Sequence, residues 1–151
     1  MRIFEAMSEQ VRTVPPDMAA AEAWHLMHAN GVHHLVVTER KKVVGVLSDR
    51  DISPRRRPPA ASLGMTVQDV MSSPVATVER DDTIRKAANL MEGRSIGCLP
   101  VLDRGALVGI VTTSDLLRLV GRGGDRPSRT ERATLSHRVA HKKGHVPTGR
   151  W

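Results

Sequence analysis

Val44-Gly45-Val46-Leu47-Ser48-Asp49-Arg50-Asp51 returns 64 residues later as Val108-Gly109-Ile110-Val111-Thr112-Thr113-Ser114-Asp115. Each stretch carries a glycine, two apolar residues, a hydroxyl and, three residues on, an aspartate. Outward from them the register holds. Leu35 and Val37 fall on Leu99 and Val101, Leu26-Met27 on Leu90-Met91, Asp17 on Asp81, Thr13-Val14 on Thr77-Val78 and Met7-Ser8 on Met71-Ser72. One structural unit is written twice, over residues 7–52 and 71–116. Two copies of a supersecondary unit imply that neither buries its apolar face alone and that they pack on each other. Function is therefore sought between them.

Within each copy the period of the apolar residues changes in the same order. A short β-branched strand, Val11 to Val14 or Val75 to Val78, comes first. A helix follows, with Asp17 and Asp81 or Asp82 as N-cap candidates. Its apolar stripe is Ala20, Ala23, Trp24 and Met27, matched by Ile84, Ala87, Ala88 and Met91. Asn30-Gly31 marks a helix C-terminus. Two apolar runs, Leu35 to Thr38 and Val43 to Leu47, are joined by a polar turn and read as a hairpin; the second copy gives Leu99 to Leu102 and Leu107 to Val111 around Asp103-Arg104-Gly105. Each hairpin exit runs into a second helix. The expected fold is α/β (α+β), two β-α-β-β-α repeats packed with pseudo-two-fold symmetry. Repeat 1 is placed at 1–56, a linker at 57–64, repeat 2 at 65–120 and a tail at 121–151.

The two exits carry the chemistry. A glycine inside a strand marks a place where a ligand or another backbone comes close. Ser48 and Thr112 stand where strand becomes helix, so helix N–H groups and the positive end of the dipole favour a phosphate beside them. Asp51 and Asp115, one helical turn later, suit the two hydroxyls of a ribose. Ser/Thr-x-x-Asp is also a capping box that merely starts a helix. On one copy alone that reading is preferred. Recurrence of glycine, hydroxyl and aspartate together favours a ligand, because cap chemistry would equally accept Asp or Asn first and Glu or Gln last.

These exits, with Met71-Ser-Ser-Pro-Val-Ala-Thr77-Val78 and Ile96-Gly-Cys-Leu-Pro100-Val-Leu-Asp103, resemble a pair of CBS domains, the adenosine-sensing Bateman module, over residues 1 to 120. The resemblance implies two clefts between the repeats. In them Ser48 or Thr112 helps hold phosphate, Asp51 or Asp115 holds ribose, and the Thr13 and Thr77 strands flank adenine. It further implies a regulatory ligand of the AMP, ADP, ATP, S-adenosylmethionine or NAD type, with no required cofactor, and a homodimer that signals to an effector protein by conformational or assembly change. Leu35-Val36 departs from the pattern kept at Leu99-Pro100 and alters strand entry. Arg50 faces uncharged Ser114 in the other copy, so the Asp51 site is expected to take the more phosphorylated ligand.

Charge divides the chain unevenly. From Gly121 on, eight Lys and Arg stand against Asp125 and Glu131, so 8 − 2 = +6 of the net +7 sits in the tail. Its Gly, Pro, Ser and Thr content predicts disorder. A nucleic-acid or acidic-partner adaptor using that tail is the alternative function. The lack of tyrosine, and the presence of only Phe4, Trp24 and Trp151, leaves few stacking platforms for single strands. A single cysteine, Cys98, excludes an internal disulfide and reads as a buried small hydrophobe. Without a signal-like or membrane-length apolar stretch, the expected setting is cytoplasmic.

Several features point away from catalysis and metals. No Ser/His/Asp order, Walker-type phosphate loop or isolated carboxylate pair appears, so no enzyme activity is expected. His25, His28 and His33 read as surface or rim residues, while His34, at a strand start, is placed to reach a ligand. His137, His141 and His145 recur every four residues but lack the glutamate of a metalloprotease helix, and Gly144 and Pro147 oppose that helix.

Overall fold

Hairpins organise both halves of the chain, because each repeat's longest apolar runs flank a two-residue turn. The computed structural model describes residues 1–52 and 64–123. The arginine-rich stretch 53–59 and the histidines and most cations of the tail lie outside the described residues. A 3₁₀ turn, Ile3–Glu5, leads into β1 (Thr13–Val14), α1 (Ala20–Asn30), β2 (His34–Glu39), β3 (Lys42–Ser48) and α2 (Asp49–Ile52). The second set is α3 (Val67–Val70), β4 (Val78–Glu79), α4 (Ile84–Arg94), β5 (Cys98–Asp103), β6 (Ala106–Thr112) and α5 (Thr113–Gly121). Met1–Arg118 form one compact unit.

The result is an α+β fold with two three-stranded sheets ordered β1-β2-β3 and β4-β5-β6. The first pair in each sheet is parallel and the second antiparallel, with matching registers: His34 opposes Ser48 and Cys98 opposes Thr112. Arg40 and Lys41, and Arg104 and Gly105, have positive φ, the backbone of a tight hairpin turn that suits strand twist. Gly31, at φ 63°, closes α1 as expected, and Ser95, at φ 53°, does the same for α4.

Four elements, β1, β4, α1 and α4, differ from the expectation. The first strands shrink to two residues, since only Thr13-Val14 and Val78-Glu79 pair with β2 and β5. Asp17 and Asp81 do not cap the helices. The Ala20 N–H of α1 donates instead to the Met65 carbonyl at 2.8 Å, and α4 is capped by Thr83, whose hydroxyl accepts from the Lys86 N–H at 3.2 Å. Asp82 instead accepts from the Glu79 N–H at 2.8 Å and pairs with Lys86.

The repeats also exchange their leading turns. Ile3 is buried in the core of the second repeat with Val78, Ala87, Met91, Leu99, Val101 and Val111. Val67 is buried in the core of the first, among Val14, Met27, Leu35, Val37 and Leu47. Each such side chain contributes roughly 1.5–3 kcal/mol by its burial. The exchange continues as bridges Ser8–Ile110 and Ser72–Val46. Gly45 and Gly109 are explained here, by the approach of another backbone. A Cβ on Gly109 would lie 2.8 Å from the Ser8 carbonyl oxygen, and one on Gly45 would lie 2.5 Å from Met71 Sδ. Between the sheets Val36, Val46, Cys98 and Ile110 form a third core, so the hairpin strands are covered on both faces and read as continuous apolar runs.

Candidate functional site

Each hairpin exit folds as a cap, and the cap leaves the two repeats unequal. The Ser48 N–H donates to Asp51 Oδ2 at 2.8 Å, and the Thr112 N–H donates to Asp115 Oδ2 at 2.8 Å. In the second repeat the Thr112 hydroxyl also donates to Asp115 Oδ2 at 3.0 Å, and Arg118 Nη1 donates to Asp115 Oδ1 at 3.1 Å. Both oxygens of Asp115 are thereby engaged within the protein. Asp51 is exposed, and among the described residues its Oδ1 has no partner.

The helix-start amides are less available to an anion than the sequence suggests. The Asp49 N–H donates to the His33 carbonyl at 3.1 Å, and the Thr113 N–H to the Gly97 carbonyl at 3.0 Å. These bonds tie each exit to the loop entering its own hairpin. An incoming phosphate would therefore rely on arginine and hydroxyl groups more than on the helix start.

Both exits face the same space. His34, Ser48, Arg50, Asp51, Thr112 and Asp115 line one continuous open cleft of about 950 Å³. That lies at the upper end of the roughly 300–1,000 Å³ of small-molecule sites. Thr13 and Thr77 do not line it: Thr13 is exposed on β1 opposite Val36, and Gln10, Val11 and Arg12 provide that wall. Arg118 lines the cleft although sequence reasoning passed over it; its signal was a cation three residues after Asp115 on a helix. Arg12 is a second such residue.

Charge in the cleft is arranged by pairing. His33 Nδ1 lies 3.0 Å from Asp49 Oδ2, with the carboxylate mostly shielded. Burial works to raise the Asp49 carboxyl, but the hydrogen bond and charge of His33 outweigh it and hold the group below the usual carboxylate range. His34 is pushed below 6.5, chiefly by burial and also by His33 and Arg50, against the opposing pull of Asp49 and Asp51. Burial, with the field of Asp51, pushes the Cys98 thiol up to about 12. The remaining histidines of the first repeat do not converge with these. His28 stacks on Trp24 at 3.7 Å between ring centroids, and among the described residues no three His, Cys, Asp or Glu side chains gather as a metal site.

Residues 3–55 and 67–122 each match the CBS domain family. The chain belongs to the CBS-domain family. It is similar to the CBS domain-containing protein YhcV of Bacillus subtilis, 31% identical over 92% of this chain and 98% of YhcV. It also resembles a homoserine O-acetyltransferase of Methanosphaerula palustris, 34% identical over 80% of this chain, but spans 24% of that protein's length. Among solved structures, the CBS domain pair of protein MJ0100, in complex with 5′-methylthioadenosine and S-adenosyl-L-methionine, superposes with a TM-score of 0.71 and 26% identity, covering 80% of this chain and 96% of that one. The described CBS pair contains no helix long and apolar enough to cross a membrane.

Proposed function

We propose that this CBS pair is a regulatory module that binds an adenosine-containing ligand in the cleft between its repeats and signals by a change of conformation or assembly. The observation that carries the reading is the convergence of two hydroxyl-aspartate exits on one cleft. The adenosine complex of the MJ0100 pair supports the ligand class. Asp51, whose Oδ1 has no partner among the described residues, takes the ribose hydroxyls. Arg50, Ser48 and Thr112 take phosphate, and Val11 and Arg12, beside Thr13, flank the base. The Asp115 half, already closed on Arg118, is the weaker one. Breaking that ion pair would cost binding energy that the Asp51 half does not spend.

No step in this reading makes or breaks a bond, so the module binds and reports rather than catalyses. A sensor also needs two arrangements with different affinity for the ligand. The reading supplies these as two geometries of a homodimer that contacts an effector protein in the cytoplasm.

Thermal-shift screening of AMP, ADP, ATP, S-adenosylmethionine and NADH tests the proposal. A true ligand at 100 times its dissociation constant stabilises the fold by about 2.7 kcal/mol. A flat response to all of them would remove the adenosine-ligand reading.

A further inference from the structure

One imidazole sits between the two exits. His34 opens β2, opposite Ser48, and a methyl placed on Gly97 of the other repeat would lie 3.7 Å from its Nε2. Its ring has no hydrogen-bond partner among the described residues. Its counterpart in the second repeat is Cys98, a thiol that stays protonated throughout the physiological range. Among the described residues the imidazole at the seam therefore has no titrating counterpart in the other repeat.

The charges around it are balanced when the histidines are neutral. Among the described residues, Arg12 precedes β1, Arg50 lies on α2 and Arg118 on α5; Asp49 and Asp51 on α2 and Asp115 on α5 oppose them, three against three. His33, in the loop before β2, is held by Asp49, and Asp115 is held by Arg118. A ligand that brings negative charge into this space leaves it short of cations, and His34 is the partnerless group able to supply one. A ligand that brings positive charge does the reverse.

We infer that His34 makes the cleft select by charge, taking up a proton when a phosphate-bearing adenosine ligand binds and staying neutral for a sulfonium ligand. The inference rests on the adenosine-site reading above and names the ligand class within it. The direction follows from linkage. In the free protein, burial keeps His34 neutral at pH 7. Phosphate raises its pKa, so affinity for ADP rises as pH falls through the bound pKa and levels off below the free one. Affinity for S-adenosylmethionine instead falls as pH drops through the free pKa and levels off below the still lower pKa of the sulfonium-bound ring, because a protonated ring repels the sulfonium.

The test uses the full chain. Titration of the His34 ring by NMR, with and without saturating ADP, should show its pKa rising by about one unit or more. Calorimetric dissociation constants from pH 5.5 to 7.5 should then show ADP tightening by up to about tenfold per pH unit beyond what His34→Gln shows. The second ionisation of the phosphate, at a pKa of about 6, is common to both proteins and cancels in that comparison. A His34 pKa unmoved by bound ADP would overturn the inference, as would identical pH profiles in wild type and His34→Gln. Failure of AMP, ADP, ATP, S-adenosylmethionine and NADH alike to bind would overturn the site reading itself, whereas binding of ADP with an unmoved His34 sinks only the charge selection.

Discussion

Gly109→Ala should destabilise the protein far more than an alanine inside a β-strand ordinarily would. The new methyl would sit 2.8 Å from the Ser8 carbonyl oxygen and 2.9 Å from Met7 Sδ. That carbonyl accepts from the Ile110 N–H at 3.0 Å, and the Ser8 N–H returns a bond to the Ile110 carbonyl at 2.9 Å. Two responses are open. If the segment stays, overpacking costs about 1–3 kcal/mol. If it leaves, two backbone hydrogen bonds worth about 0.5–1.5 kcal/mol each are lost, and Ile3, fully buried in the second core, loses roughly 1.5–3 kcal/mol of burial. The cheaper response sets the result. Alanine's smaller unfolded-state entropy returns about 0.4–1 kcal/mol, leaving a net loss of about 1.3 kcal/mol at the midpoints of these ranges and at most about 2.6. Gly45→Ala should cost less. Its nearest neighbour, Met71 Sδ at 2.5 Å, is the end of a flexible thioether that can turn away, and the Ser72 carbonyl oxygen stands back at 3.1 Å. Urea unfolding of both variants, read by circular dichroism, gives the comparison. A Gly109→Ala protein more stable than wild type, or one more stable than Gly45→Ala, would show that the exchanged segments do not hold the repeats together.

Two further outcomes follow from the same geometry. Cys98, with its thiol pushed up to about 12, should resist iodoacetamide at pH 7.5 in the native protein and react once urea unfolds it; rapid native alkylation would contradict its burial in the seam. Removing residues 121–151 should leave nucleotide affinity unchanged, because among the described residues the cleft lining ends at Arg118, and should abolish any salt-sensitive binding to DNA or acidic partners. Loss of nucleotide binding on that truncation would move the site into the tail.

The repeat was legible because pairwise identities at a fixed offset outweigh local ambiguity. The hairpins were legible because Arg40-Lys41 and Arg104-Gly105 interrupt apolar runs too short for helices. The exchange of leading turns was not. Ile3 and Val67 stand in turns of three and four residues, too short for an apolar period to show, and the core that receives each belongs to the other repeat. The caps misled for the same reason. Asp17 looks like an N-cap until the Met65 carbonyl, distant in sequence, arrives to take the Ala20 N–H. At the site, the hydroxyl-aspartate pairs were readable, but their inequality was sought in Arg50 against Ser114. The structure puts a cation at both exits and finds the difference in whether the aspartate is already engaged. Arg118 engages Asp115, while among the described residues Asp51 keeps an open oxygen.

Calorimetric titration of ADP into Asp51→Ala and Asp115→Ala, beside the wild type, addresses the central claim most directly. The open carboxylate at Asp51 predicts a loss of about tenfold or more in affinity for Asp51→Ala, the worth of one charged hydrogen bond, and a change under about threefold for Asp115→Ala. Abolished binding in Asp115→Ala with Asp51→Ala intact would contradict the account.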